Sequence, residues 1–591
     1  MRQKDYENRV GNHEAIHKKL TGISNKIGCA KLFGILILGL TIYFLFARSF
    51  PISLIIVSSL LLMSLIILWI YHHKLHEKIN YSSSIIVINR RHLDRISGKW
   101  TAFPDMGAEF ISQEHPYSSD LDIVGQKSFF QFINTTHTWH GRQAFAKDLL
   151  HPHYGIDELK ERQKAIKELS KDIDFSNHLE HSFSKIGLHS SVQKLTDGLK
   201  DRQLFIKSKL LKTLLMYVPM VTFVLVAATV LFRLEGLYIA ATSIIAVQTV
   251  VWIAGIGRPH NYLNGISGLP YKLRAYGEVI EILLASKFNS KKLKQIQTVL
   301  SEPSAAEAIK DLHKIAAKVS IRHNVLIWVA ANALLLWDYE CAIKFEAWKQ
   351  KYAHAAEGWF HALGEFESLL SFSHLPNMCN NTCLPSPTTE KAVEAQALGH
   401  PLIPNNARIN NHVSCKDNIF IISGSNMSGK TTFMRTVGIN LVLARAGSFV
   451  CAKEMSFYPL EIMTSMRIAD DLNEGISTFY AELTRIKGII TLAEKNSNMI
   501  FLIDEIFRGT NSVDRLSGAM AVLKRLDSLN AIGMITTHDL ELCEIANQFS
   551  RIKNYGFSEE YRDNQIHFDY ILKSGKSITT NAKYLMEMVG I

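Results

Sequence analysis

The sequence predicts a multidomain protein with an α/β domain at its C-terminal end, an all-α region before it, and four transmembrane helices in two hairpins. Three observations support this fold class. The 591 residues exceed what one hydrophobic core usually holds. Four uncharged apolar runs occur in two closely spaced pairs. Near the C-terminus, short apolar runs typical of buried strands alternate with helix-like segments and end in polar residues.

The composition fits a protein that carries a few membrane segments on a larger water-soluble body. Hydrophobic residues make up 47% of the chain and charged residues 20%, which suits neither a fully soluble protein nor a polytopic transporter. The net charge of +11 favours nucleic acid or an anionic membrane face without choosing between them. Cys379 and Cys383 are the only close cysteine pair and lack partners at zinc spacing, so we expect free thiols in a reducing cytosol.

The apolar runs are the main topological signal. The first pair covers residues 32–47 and 51–71, and the second covers 214–232 and 236–257. The first 31 residues are polar, unlike a cleavable signal peptide. Eight basic residues flank the first pair against Arg48 alone in its loop, which places both termini in the cytoplasm: Lys18, Lys19, Lys26, Lys31, Lys74, Lys78, Arg90 and Arg91.

We therefore predict a multi-pass protein of the inner (cytoplasmic) membrane whose C-terminal domain lies in the cytoplasm. Buried core helices are the alternative for both pairs. A fifth apolar run, residues 325–337, has only thirteen residues and includes Asn332, so we predict a core helix there.

A glycine-rich loop carries the chemistry of the α/β domain. Residues 418–423 form an apolar run, the loop follows, and an apolar helix-like stretch extends to Ala446. In this strand–loop–helix context, backbone N–H groups and the helix N-terminus can cradle nucleotide phosphates. Lys430 is expected to reach the β- and γ-phosphates. The predicted nucleotide-binding residues are Gly424, Ser425, Asn426, Met427, Ser428, Gly429, Lys430, Thr431 and Thr432.

Two further strand ends supply the remaining polar groups. The apolar run 499–503 leads into Asp504 and Glu505, and the next run ends at His538. With Thr431, Asp504 is predicted to hold Mg²⁺, while Glu505 orients or deprotonates the attacking water. The alternative is that Asp504 and Glu505 are a pair of surface carboxylates without a catalytic role. The predicted catalytic residues include Lys430 and Glu505, with His538 placed to touch the γ-phosphate.

Together these residues resemble the MutS family of DNA mismatch-repair ATPases, which belongs to the ABC ATPase class. The resemblance implies an ABC-class P-loop ATPase domain that uses ATP and Mg²⁺ and works as a dimer. It also implies that Ser477 of one subunit completes the catalytic site of the other. The segments that carry the resemblance are 426–430, 469–471, 475–479 and 504–510, followed by Asp514.

Weaker resemblance extends upstream to the helical lever region of that family. It covers parts of 121–163 and about 259–375, and the segment from His400 resembles the entry to the ATPase domain, near the nucleotide base. The implied domains are a basic cytoplasmic tail (1–31), transmembrane hairpin 1 (32–71), a linker region (72–117), the first lever-like part (118–213), transmembrane hairpin 2 (214–257), the second lever-like part (258–385) and the MutS-type ATPase domain (386–591).

The differences from the family affect which function we expect for this chain. The first hairpin occupies the place of the mismatch-reading and connector domains, and we find no Phe-x-Glu wedge in a mismatch-reading domain. We expect the DNA-clamping arms to be absent or reduced, because only about 115 residues separate the second hairpin from the ATPase domain. Our first hypothesis is a membrane-anchored MutS-like ATPase, a homodimer that couples ATP hydrolysis to DNA binding or repair-related signalling. The alternative is a membrane mechanoenzyme acting on an envelope or protein partner without DNA. An ABC-type transporter fits less well because the signature is Ser477-Thr478-Phe479.

Overall fold

We describe the protein from a computed structural model. The description covers residues 2–47, 52–187, 199, 205–467, 478–496, 498–507, 511–562 and 565–577. Ser477 and residues 508–510 of the predicted site lie outside these ranges, as does the Arg48 loop.

Two long helices form the first hairpin, α1 (Arg2–Ala47) and α2 (Ile52–Ile96). At ~1.5 Å per residue each is about 70 Å long, roughly twice the length needed to cross a bilayer's apolar core. They run antiparallel, since Glu14 contacts Arg90 and Ser24 contacts His72. The apolar end is exposed throughout, whereas the other end packs on the helical region. The predicted basic tail and much of the predicted linker are thus continuous with the apolar helices.

The helical region follows in chain order. Its elements are α3 (Phe129–Ile133), α4 (Trp139–Leu150), α5 (Ile156–Leu169), α6 (Ile173–Ser184), α7 (Lys209–Phe232), α8 (Glu235–Gly255), α9 (Gly257–Leu263), α10 (Pro270–Ala285), α11 (Lys291–Ser301), α12 (Ala305–Val319), α13 (Val325–Leu335), α14 (Trp337–Ser373) and α15 (Leu375–Met378).

The long helix α14 runs through this region, and glycines allow α4 to pack closely against it. A Cβ atom on Gly364 would lie 2.6 Å from the carbonyl carbon of His140, and one on Gly141 would clash with Glu367. Glu367 in turn accepts a hydrogen bond from the backbone N–H of His137 (2.7 Å), just before α4 begins. Glu367, which is 1% exposed, is thus hydrogen-bonded where the two helices meet.

The second hairpin consists of α7 and α8, which turn at Arg233 in the left-handed conformation (φ 52°). Few of its residues are buried, and its large apolar side chains are exposed. Among the described residues, α1, α2, α7 and α8 are long and apolar enough to cross a membrane, or five spans result if α13 and α14 form one bent span. That finding rests on length and composition alone.

The prediction of a core helix at 325–337 was wrong. In α13 the side chains of Val325 and Leu326 are 64% and 84% exposed, and Asn332 is the buried residue. The helix lies against the second hairpin, where Trp328 meets Trp252 edge to face, and bends by 79° into α14. Its shortness reflects this bend after residue 335 rather than burial in a core, and its apolar face continues that of the hairpin.

The C-terminal domain is α/β, as predicted. Its elements are β1 (Ser386–Pro387), β2 (Ala392–Leu398), β3 (Asn411–Lys416), β4 (Ile419–Ser423), α16 (Lys430–Arg445), β5 (Glu454–Phe457), β6 (Glu461–Ser465), α17 (Thr478–Lys495), β7 (Met499–Asp504), α18 (Ser512–Ser528), β8 (Ile532–Thr537), β9 (Ile552–Arg562) and β10 (Gln565–Ser574).

Two sheets organise this domain. The larger has the order β10-β9-β4-β8-β7-β6, parallel from β9 to β6 with β10 antiparallel at the edge. The smaller has the order β1-β5-β2-β3. All residues of β4, β7 and β8 are buried, which explains their continuous apolar runs. The predicted strands before Gly424, Asp504 and His538 are thereby confirmed.

Candidate active site

The site lies where three neighbouring parallel strands end. β4 leads into the glycine loop, β7 ends at Asp504 and β8 is followed by His538. Since β8 pairs with both β4 and β7, these carboxyl ends share one sheet edge. That edge is where open α/β sheets bind ligands.

The glycine loop has a backbone that its glycines make possible. Gly424 and Gly429 have φ values of 154° and 103°, and Met427 is also left-handed at 70°. A Cβ atom at Gly424 would lie 2.8 Å from Ser428 Oγ, and one at Gly429 would lie 3.0 Å from Tyr570. The loop therefore curls tightly in front of the N-terminus of α16.

Lys430, the first residue of α16, points back into the loop. Its side chain is 5% exposed, and Nζ donates to the carbonyls of Gly424 and Ser425, both at 2.9 Å. His538 Nε2 lies 3.3 Å from the same ammonium. The loop carbonyls and the imidazole thus position the ammonium under the curl of the loop.

Thr431 and Asp504 form a compact oxygen cluster. Thr431 Oγ1 donates to the Asp504 carboxylate, 2.9 and 3.0 Å from its oxygens, and Thr536 Oγ1 donates to Asp504 Oδ1 at 2.7 Å. Hydroxyl and carboxylate oxygens are the ligands that Mg²⁺ prefers. The donor set at these positions therefore fits this ion.

Glu505 and His538 meet beside this cluster. Glu505 is left-handed (φ 51°), and its N–H donates to Thr536 Oγ1 at 3.0 Å. Its Oε1 lies 2.5 Å from His538 Nε2. The structure thus brings together Lys430, Glu505 and His538, three of the four predicted catalytic residues.

The fourth predicted catalytic residue, Ser477, precedes α17 and lies outside the described chain. Two residues of α17 contact the loop that follows Glu505. Glu482 accepts a hydrogen bond from the N–H of Phe507, and the rings of Phe479 and Phe507 meet at 5.8 Å. The helix after Ser477 is therefore fixed against the Glu505 loop.

A cleft of about 850 Å³ extends from the glycine loop over α16. His400 and Ile409 line its far side, so the predicted base-proximal histidine does face the cleft. Burial, with Arg408 and Arg435 nearby, lowers the pKa of His400 to about 3, so the imidazole is neutral. Its Nδ1 accepts a hydrogen bond from the N–H of Leu402 at 3.3 Å.

Sequence reasoning missed two cleft residues and one loop contact. Tyr570 lies against Gly429, and Asn411 holds the Tyr570 carbonyl at 2.9 Å. Ser425 Oγ donates to Glu559 at 2.6 Å. These residues come from β3, β9 and β10, distant in sequence from the loop, and no short motif marks them. The β-bulge at 568–572 turns Tyr570 toward the loop.

A polar seam joins this site to the helical region. Asp120, which is fully buried, accepts four hydrogen bonds from the end of β6 and from α17: from Thr464 Oγ1 (2.6 Å), Met466 N (3.1 Å), Arg467 N (2.9 Å) and Arg485 Nη1 (2.9 Å). Asp122 pairs with Arg467 and with Arg435 of α16. Asp120 and Asp122, which precede the helical region, therefore bind both α16, the helix after the glycine loop, and the end of β6, the strand that leads toward Ser477.

Comparison with known proteins supports these assignments. The family model described as MutS domain V matches residues 420–591. Proteins named DNA mismatch repair protein MutS from Staphylococcus aureus strains JH9, Newman and USA300 / TCH1516 are each 27% identical to the chain over 338 residues, or 55% of this chain. The chain spans about a third of their length, 37%. The family model shows that residues 420–591 form a MutS domain V, and together with these relatives it supports placing the chain in the MutS family.

Proposed function

We propose that this protein is a membrane-anchored P-loop ATPase that binds and hydrolyses Mg-ATP in a composite dimer site. One observation carries the proposal. The glycine loop, the Thr431–Asp504 oxygen cluster and the Glu505–His538 pair converge at one sheet edge, although they come from three separate strands.

Each group has a role that its contacts support. Lys430 exchanges its loop carbonyls for β- and γ-phosphate oxygens, and the loop N–H groups hold the remaining phosphate charge. Thr431 and Asp504 would hold Mg²⁺, and the ion would supply positive charge that stabilises the phosphate oxygens. Glu505 takes the proton of the attacking water, and His538 donates toward the γ-phosphate from its place between Glu505 and Lys430.

The nucleotide base occupies the cleft lined by His400, Ile409 and Tyr570. A neutral His400 and the aromatic ring of Tyr570 present apolar faces suited to a flat heteroaromatic ring. Tyr570 also packs beside Gly429, so the residues that contact the base lie next to the glycine loop that holds the phosphates.

Ser477 acts in trans. In this proposal two ATPase domains pair so that Ser477 of one subunit donates to the γ-phosphate held by the other. Such closure brings a donor to the side of the phosphate opposite Lys430 and excludes water. The packing of α17 against the Glu505 loop supports this arrangement, because a movement of Ser477 on dimer closure would also move the loop next to the catalytic carboxylate.

The four apolar helices anchor the protein in the inner membrane. Their large apolar side chains are exposed, and the polar ends of α1 and α2 pack on the helical region that grips the ATPase domain. Both termini of the first hairpin thus lie on the side of the ATPase domain, which we place in the cytoplasm.

The first candidate for the coupled process is DNA binding or repair-related signalling. The similar proteins are named as DNA mismatch repair proteins, and the net charge of +11 suits a polyanion. The second candidate is a membrane mechanoenzyme without DNA. The observation that favours it is that α2 continues from the apolar hairpin into the helical region. In this proposal, α2 transmits movement of the ATPase domain at the Asp120 hydrogen bonds to the membrane segment.

One assay separates the candidates. ATPase activity of the full chain in detergent is measured with and without duplex, mismatched and branched DNA, at several salt concentrations. DNA coupling predicts stimulation and binding that weakens as salt rises. Unchanged activity and no salt-dependent binding contradict DNA coupling and leave the mechanoenzyme.

The matched variants test the site itself. Lys430→Ala is expected to abolish tight nucleotide binding and hydrolysis, whereas Lys453→Ala, which removes an exposed lysine of the same domain, keeps both. Retained nucleotide affinity in Lys430→Ala contradicts the proposed site, whatever DNA does.

A further inference from the structure

A cluster of buried histidines and a carboxylate lies where the first hairpin meets the helical region, far in sequence from the glycine loop. His92 comes from α2, Glu180 from α6 and His374 from the turn between α14 and α15. These residues are 0%, 1% and 2% exposed. One potential ligand atom from each lies within 4.8 Å of the other two.

A third histidine lies beside the cluster. His137 precedes α4, and its side chain is 19% exposed. Its Nε2 lies 3.6 Å from Glu180 Oε1, while His92 Nε2 lies 3.8 Å from Glu180 Oε2. Ligand atoms around a tetrahedral zinc ion with bonds of ~2.1 Å are about 3.4 Å apart, so these two separations are close to the required ones.

The atoms that face the centre of the cluster have no hydrogen-bond partner among the described residues. They are Nε2 of His92, His137 and His374, together with Glu180 Oε2. Buried polar atoms are nearly always satisfied in folded proteins. Three of these atoms, from His92, Glu180 and His374, lie within 4.8 Å of one another and indicate a ligand that satisfies them together, while His137 approaches the other oxygen of Glu180.

The charge state of the cluster suits a cation. Burial lowers the pKa of His92 and lowers that of His374 to about 4, so both rings are neutral and can act as ligands. Burial opposes ionisation of Glu180, but the nearby His137 and the other basic groups hold its pKa below the ordinary value. A buried carboxylate thus faces the neutral rings of His92 and His374.

Arg95 is the cation nearest to the cluster, and other groups hold it. Its Nε and Nη2 donate to the carbonyls of Phe132 (2.7 Å) and Asn134 (2.9 Å), while Nη1 lies 3.3 Å from His92 Nδ1. It therefore lies on the ring nitrogen opposite to the one that faces Glu180. Coordination through Nε2 places the ring proton on Nδ1, so Nη1 withdraws while the two carbonyl bonds remain.

We propose that His92, Glu180 and His374, with His137 as the fourth ligand, bind a structural zinc ion that fastens the membrane hairpin to the helical region. Three imidazoles and a carboxylate match the ligands that zinc takes in proteins. The near-complete burial of His92, Glu180 and His374 favours a structural ion over a catalytic one, because substrate has no access to it. The ion ties α2 to α6 and to the end of α14, which leads into the ATPase domain.

The test is the metal content of the full chain, purified in detergent without a polyhistidine tag and without nucleotide. We expect about one zinc per chain by elemental analysis, and loss of that zinc in His92→Gln and Glu180→Gln. The control His178→Gln alters a partly exposed histidine of the same helix as Glu180 and should keep the ion. Cobalt substitution of the wild type should give the visible absorption of a tetrahedral site.

A second measurement uses only the wild-type protein, so that it remains valid if the variants fail to fold. Wild-type protein stripped with a chelator should unfold at a lower temperature, and ZnCl₂ should restore the original Tm whereas MgCl₂ should not. Wild-type protein with less than a tenth of a zinc per chain and no change in Tm on adding ZnCl₂ overturns the proposal. Equal zinc content in the wild type and Glu180→Gln overturns it as well.

Discussion

Asp504 and Glu505 connect the end of β7 to β8 and to the start of α16. The N–H of Glu505 is fixed by Thr536, its carboxylate lies against His538, and the preceding Asp504 binds Thr431. The left-handed backbone at Glu505 turns the chain sharply at the end of β7. Two adjacent carboxylates can thus serve different purposes, one at the Thr431 hydroxyl and one at the imidazole.

We predict that Glu505→Gln lowers kcat by about 10²–10³-fold while nucleotide binding is retained, because the amide keeps the shape but cannot accept the proton of water. The variant should accumulate with ATP bound. Single-turnover hydrolysis and nucleotide retention on a desalting column measure this. Glu541→Gln, at an exposed position in the same domain, is the control. Normal turnover in Glu505→Gln would show that another group activates the water.

At the scale of elements, sequence patterns predicted what is local and missed what depends on three-dimensional neighbours. The buried strands before Gly424, Asp504 and His538 followed from continuous apolar runs that end in polar residues. Tyr570 was missed because its position depends on the pairing of β10 and on a bulge. The helix α13 was misjudged because its length suggested a core, whereas a bend at Leu336 continues the chain into α14.

The apolar helices predict a membrane topology that chemical labelling can test. If α7 and α8 cross the membrane, the turn between them lies on the opposite face from the ATPase domain. We predict that a membrane-impermeant maleimide added to intact spheroplasts labels Leu234→Cys at this turn. The exposed native Cys29, before the apolar run of α1, should react only after permeabilisation.

Lys209→Cys is the matched control for the labelling, since it lies at the other end of α7 and should behave like Cys29. Labelling of Lys209→Cys in intact cells, or protection of Leu234→Cys, would reverse or refute the proposed topology. Release of the protein from membranes by alkaline carbonate would contradict membrane spanning altogether.

Across the whole molecule, the candidate site and the apolar helices are joined by two connections among the residues that the structure describes. The Asp120 seam links the helix after the glycine loop and the strand before Ser477 to the helical region. The histidine cluster links that region to α2. A change in the nucleotide site can therefore reach the hairpin through packed, hydrogen-bonded elements, as force transmission or allosteric coupling requires.

We propose that two copies of this chain share each ATPase site, and mixing of inactive subunits tests this arrangement. Lys430→Ala and Ser477→Arg are each expected to be inactive alone. When mixed, half of the dimers combine both variants, and each of these has one intact site. Activity should therefore recover to about a quarter of the wild-type rate. Subunit exchange is verified by co-purification through two different tags. Mixed dimers that stay inactive, or either variant that is active alone, would contradict the composite site.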